Sequence, residues 1–135
     1  VKSLRDLVKR HGLVDRFNFV PHQADGTDAI GALDCLVHPA CDEPFGRVLM
    51  EAMSMAKPVI AMAENGPLEI ITQEYDGLLV PPDKADGLAA AMKRVLIDDA
   101  LRATLTHNAR PSVEHRFHIG DSAAKVLELY KEIAG

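Results

Sequence analysis

The sequence predicts an α/β fold: a parallel sheet with helices packed on it. Three observations carry this. Short apolar runs alternate with amphipathic helical stretches along the whole chain, as strands joined by crossover helices require. The apolar runs end in loops such as "HPACDEPFG" and "MAENGPLE" that hold the Gly, Pro, Asn and Asp of turns. Hydrophobic residues make up 47% of the chain but aromatics only 4%, so the core is expected to be aliphatic, rich in Ala and Met. At 135 residues the chain suits one domain with a modest core. It has no internal repeat, low-complexity tract or linker.

The elements follow in order. "LRDLVKRHGL" sets Leu4, Leu7 and Val8 on one helical face, and Gly12 can end that helix. "RFNFV" reads as a short strand closed by Pro21. "GTDAIGAL" is a short helix starting near Thr27 or Asp28, and "DCLVHP" a buried strand ending at Pro39. A helix is expected from about Phe45 to Ala56, its apolar stripe formed by Val48, Leu49, Ala52, Met55 and Ala56. "KPVIAM" is a strand, "GPLEIIT" a short helix with Pro67 in its first turn, and "GLLVPP" a last strand. "KADGLAAAMKRVLID" is an amphipathic helix with Leu88, Met92 and Leu96 on one stripe. "DALRATLTHNAR" and "GDSAAKVLELYKEIA" are the closing helices. Crossovers of this kind are right-handed, and both sheet faces are covered.

Several function classes recede on composition. A net charge of −5 argues against a nucleic-acid surface, which needs a basic face. No apolar run approaches the roughly 18 residues of a membrane span, and no signal peptide is visible. Cys35 and Cys41 show no disulfide or metal spacing and are expected as two buried free thiols, which points to the cytoplasm. His107, His115 and His118 lack a third or fourth convergent ligand, so no metal is expected.

In an open α/β sheet, ligands sit beyond the carboxyl ends of the strands. The loops there are "VPHQADG", "HPACDEPFG", "MAENGPLE" and "VPPDKAD". Within "CDEPFGRVLMEA", Gly46 lets the backbone approach a ligand at the start of a helix, whose first N–H groups and dipole suit a phosphate or diphosphate. Glu43 precedes that end, either as a helix cap or as a ligand-binding carboxylate. Glu51 borders the apolar stripe. A carboxylate buried there needs a partner, and two are open: Arg47 at i−4, or the adjacent hydroxyls of a polyol such as ribose. Asn65-Gly66 can adopt positive φ before Pro67 and opens a second helix at the same sheet edge. This remains an ordinary strand-to-helix turn unless the two loops meet.

These residues resemble a known family. "EPFGRVLME" matches the E-x7-E signature of retaining glycosyltransferases of the GT-B fold, the group 1 type. "RFNFV", "LDCLVHPACDEPFG", "EAMSMAKPVIA", "NGPLEII" and "DGLLVPPDKADGLAAAMKRVLID" resemble that family's segments in order and nearly end to end. The resemblance implies the C-terminal, Rossmann-like, donor-binding domain of such an enzyme. Glu43 would contact the donor sugar and carry the catalytic role. Backbone amides around Phe45, Gly46 and Arg47 would meet sugar and diphosphate, Glu51 the ribose hydroxyls, and the loop at Val20 and Pro21 the nucleobase. The implied partner is a nucleoside-diphosphate sugar, and the implied reaction moves a hexose to an acceptor hydroxyl. No cofactor is implied, because helix dipoles and basic side chains stabilise the leaving diphosphate. The alternatives are a non-catalytic sugar-nucleotide-binding module and a fragment of a GT-B sugar-nucleotide epimerase.

The departures are specific. The family's first strands, its "G-R-x-x-x-x-K" segment and its acceptor-binding N-terminal domain are not found in the 135 residues. The chain opens already helical without Met, so it reads as a single partial domain over 1–135, expected to be inactive alone. The missing N-terminal domain is an expected partner, and membrane-surface association would come only through that parent. Ala56 stands where the family usually has Gly, and His38 where a Leu or Ser type is common. In the order 3-2-1-4-5-6, the absent strands belong between "RFNFV" and "DCLVH". The raw edges are expected to close in one of three ways: by moving "RFNFV" beside "DCLVH", by pairing with a second copy, or within the parent.

Overall fold

The computed structural model describes residues 3–23, 25–82 and 84–134. At its centre β1 (Leu36–His38), β2 (Val59–Met62) and β3 (Leu78–Val80) form a parallel three-stranded sheet in the order β1-β2-β3. Val37 lies opposite Ile60, and Ala61 opposite Leu79. The expected α/β class, a parallel sheet with flanking helices, is what the structure shows. Helix α3 (Arg47–Ser54) crosses from β1 to β2, and α4 (Gly66–Ile70) from β2 to β3. Helices α5 (Ala85–Ile97), α6 (Asp99–Arg116) and α7 (Ile119–Ala134) follow, while α1 (Leu4–Arg10) and α2 (Thr27–Gly31) precede the sheet.

The period-2 alternation of β2 divides the core. Val59 and Ala61 pack with Leu49, Ala52 and Met53 of α3 and with Ala109 and Val113 of α6. Ile60 and Met62 pack on the other face with Leu78, Val80, Ala91, Val95 and Leu105. Every residue of β2 is buried, as expected for a strand covered on both faces. Helix α6 serves both clusters and continues through Pro111 to Arg116, beyond the stop expected at Arg110. Buried Val113 and the Arg116 side chain hold the extra turn.

Arg116 anchors α6 to the α4–β3 connection. Its guanidinium donates to the carbonyls of Glu69 and Ile70 and, at 3.1 Å, to Asp76 Oδ2. Asp76 is fully buried, and its other oxygen accepts the Thr72 N–H at 2.7 Å. Both carboxylate oxygens are therefore satisfied, which a buried charge requires.

Three further expectations are corrected. Residues 17–20 are not a strand: a 3-10 turn at Val14–Arg16 leads into unpaired extended chain. Phe17 and Phe19 pack on each other with centroids 4.9 Å apart, and Arg5 of α1 stacks over Phe19. A strand exists only through a neighbour's hydrogen bonds, and this segment folds with α1 instead of moving beside β1. On α5, Ala91 and Val95 are buried, whereas Met92 and Leu96 are 40% and 65% exposed. Leu88 packs partly buried against the same cluster, and the buried stripe goes on by a step of three and then four to Ala91 and Val95, whereas two successive steps of four drift about 80° and carry Met92 and Leu96 out of it. The cysteines are not both buried: Cys35 is partly covered and Cys41 is exposed. Helix α7 buries none of its residues, and no helix among the described residues is long and apolar enough to cross a membrane.

Candidate functional site

The loop from β1 to α3 is built around Gly46. Its φ of 95° is left-handed, and a Cβ there would approach Leu49 Cδ1 to 2.9 Å. Gly46 is the N-cap of α3; no side chain caps the helix, and its first turn holds no acid. This leaves a positive helix end without an internal partner. Glu43 does not cap it. One Glu43 oxygen accepts the Phe45 N–H at 3.3 Å, and the other lies 3.3 Å from His38 Nε2. The strand-end histidine and the loop glutamate thus form a pair, with side chains 18% and 28% exposed.

The loop after β2 meets this one. Gly66 N–H donates to the Glu43 carbonyl at 3.2 Å, and Asp42 N–H to Glu64 Oε2 at 3.4 Å. A Cβ on Gly66 would lie 2.5 Å from the Phe45 carbonyl carbon, so only glycine admits this approach. Asn65 takes φ 45° to deliver it. The "ENGP" turn is therefore part of the same assembly and not a separate strand-to-helix turn.

Glu51 is on α3 but not on its buried side: its side chain is 50% exposed. The buried face is Leu49, Ala52 and Met53. Arg47, 84% exposed, reaches Glu51 at 3.8 Å, a separation at which an exposed pair contributes little. Glu51 borders two cavities. One, of about 450 Å³, is walled by Phe45, Met50 and Phe117; the rings of Phe45 and Phe117 meet edge-on at 6.1 Å. The other, of about 660 Å³, lies towards the start of α2 and is lined by Asp25, Thr27, Ile30 and Ser54. Asp25 accepts the Thr27 N–H at 2.9 Å. Bonding to the Thr27 side chain and backbone holds its carboxyl below the usual aspartate range.

Of the residues expected at the site, Glu43, Phe45, Gly46, Arg47 and Glu51 line one loop and helix end. Val20 and Pro21 are exposed. The cavity beside Glu51 is lined from that loop by Asp25, Gly26 and Thr27 instead. The sequence placed Asp25 only in a strand-end loop and Thr27 only at a helix start, and passed over Ser54, because their nearness to Glu51 comes from the packing of α2 on α3.

Known proteins share this fold. The family model described as glycosyl transferases group 1 matches residues 1–112. This chain belongs to that family. It is 33% identical over 134 residues to the D-inositol 3-phosphate glycosyltransferase of Saccharomonospora viridis, covering 97% of this chain and 31% of that protein. HepE from Anabaena, solved in complex with UDP, superposes with a TM-score of 0.91 at 30% identity, covering 96% of this chain and 36% of HepE. HepE has also been solved with UDP-glucose. The C-terminal domain of a glycosyl transferase group 1 protein (LpcC) from Francisella tularensis gives a TM-score of 0.76 at 29% identity, covering 84% of this chain and 60% of that one. The chain spans about a third of the length of the curated relatives it matches.

Proposed function

We propose that this chain is the sugar-nucleotide-binding part of a retaining glycosyltransferase that moves a hexose from a nucleoside-diphosphate sugar to an acceptor hydroxyl. The observation that carries the reading is the uncapped start of α3 at Gly46, with a carboxylate on each side of it. The diphosphate would sit at that helix end, where N–H groups and dipole favour negative charge as the leaving group departs. Glu43 would take hydroxyls of the donor sugar as the catalytic carboxylate, with the amides around Phe45, Gly46 and Arg47 beside it. Half-exposed Glu51 would accept both ribose hydroxyls. The nucleobase would extend towards Val20 and Pro21 past Asp25 and Thr27. The UDP and UDP-glucose complexes of HepE support a nucleotide-sugar ligand, and the likeness to the LpcC domain supports a C-terminal domain.

Residues 1–135 would form a single partial domain, acting in the cytoplasm beside an acceptor-binding domain. This reading assigns acceptor binding to the N-terminal domain and the basic grip on the diphosphate to the "G-R-x-x-x-x-K" segment of the family, so transfer by this chain alone is not expected. The test is calorimetric titration with UDP-, GDP- and ADP-sugars. Glu51→Ala should abolish binding of both nucleotide and nucleotide sugar. Binding of no member of the panel would refute the reading, and sugar transfer by this chain alone would refute its inactivity.

A further inference from the structure

We propose that His38 is a positioning residue that sets Glu43 for the sugar of the donor; this rests on the reading of Glu43 given above. His38 is the last residue of β1 and is carried by the sheet, not by a loop. Its Nε2 lies 3.3 Å from Glu43 Oε2, while Oε1 of the same carboxylate accepts the Phe45 N–H at 3.3 Å. The Glu43 main chain is held as well, by the Gly66 N–H on its carbonyl. A carboxylate only accepts hydrogen bonds, so Nε2 carries the proton and the tautomer follows from the contact. Each oxygen of an anchored carboxylate keeps a second acceptor position, available to one of two neighbouring hydroxyls.

Glutamate is flexible, and ordering it on ligand arrival weakens binding; holding it beforehand removes that cost. The neighbours of Glu43 divide this work. The Gly66 N–H holds the Glu43 backbone and the Phe45 N–H one carboxylate oxygen, and among the described residues His38 is the one that reaches the carboxylate with a side chain. His38 should therefore affect the contribution of the sugar and not that of the nucleotide, which falls to Glu51 and the α3 end.

The experiment titrates this chain with UDP-glucose, GDP-mannose and ADP-glucose, each beside its free nucleotide, for the parent, His38→Ala, His38→Gln and Glu43→Gln, with a melting curve for each. Glutamine places an amide N–H near the Nε2 position. His38→Ala is expected to weaken the bound nucleotide sugar about tenfold while its free nucleotide stays within about twofold. His38→Gln should regain most of the loss, which a merely structural role for the ring would not produce. Equal weakening of both ligands, no weakening, or a glutamine variant that folds but binds like alanine would overturn the proposal. If Glu43→Gln removes the preference for the sugar form and His38→Ala does not, this inference alone fails. If Glu43→Gln has no effect, or the parent binds none of the panel, the reading of the site fails with it.

Discussion

Replacing Gly66 by alanine tests the join between the two loops of the site. The added methyl would lie 2.5 Å from the Phe45 carbonyl carbon and closer still to Phe45 Cα and O. All three are backbone atoms, so no rotamer change relieves the contact, and the loops must part by about 1 Å to reach ordinary packing distance. Overpacking of this kind costs about 1–3 kcal/mol. Parting also weakens the 3.2 Å bond from Gly66 N–H to the Glu43 carbonyl, worth about 1 kcal/mol. Lower entropy of the unfolded alanine chain returns about 0.4–1 kcal/mol. The net loss is about 1–3.5 kcal/mol, a fall in Tm of about 4–14 °C for a chain of this size. Because Phe45 and Gly46 move with the loop, nucleotide-sugar affinity should also fall at least about tenfold. Gly31→Ala is the control. That position is helical, its nearest neighbour for a Cβ is Met55 Cε at 3.9 Å, and it should gain about 0.5 kcal/mol. Thermal unfolding by circular dichroism and calorimetric titration read both effects. A Gly66→Ala chain that melts within 1 °C (about 0.3 kcal/mol) of the parent would refute the contact between the loops.

Ala56 has φ 54° just after α3, where Ala56 N–H bonds the Met53 carbonyl and Lys57 N–H the Ala52 carbonyl, a Schellman cap that favours glycine. Ala56→Gly should raise stability by about 1 kcal/mol in chemical denaturation, and an unchanged or lower midpoint would contradict the strain. Arg116→Met should cost about 3 kcal/mol, because it leaves the buried Asp76 carboxylate without its charged partner, and Asp76→Ala less, because the freed Arg116 is 34% exposed and can reach water. A double-mutant cycle should return a coupling of about 1 kcal/mol or more, and additivity would show that the pair does not act as one unit. Exposed Cys41 should be alkylated within minutes and Cys35 only on unfolding. Desolvation and then the Asp34 charge push the Cys35 thiol up to about 11, so at pH 8 about a thousandth of it is thiolate. Equal labelling rates by mass spectrometry would count against this environment.

The local pattern was legible where it follows from neighbours along the chain. The apolar runs of "DCLVHP", "KPVIAM" and "GLLVPP" are strands as expected, and Pro67 at a first turn and Gly46 before an apolar helix follow from "MAENGPLE" and "HPACDEPFGRVLMEA". The place of Glu51 was only half legible. A periodicity argument puts it beside the stripe, but whether that border faces protein or solvent depends on where α2 and α6 pack.

By itself, the sequence determined the alternation of strands and helices, a parallel sheet in which three of the four expected strands form, and the family to which the chain belongs. These rest on short-range periodicity and on motifs whose residues are close in the chain. Tertiary structure decided the rest. It left "RFNFV" without a strand partner, set His38 on Glu43, brought Gly66 against Phe45 and paired Asp76 with Arg116 across forty positions. Each outcome depends on a contact between separate segments. Hydrogen bonds and packing of that kind form only when the whole chain has chosen its layers, and no local pattern of residues records them.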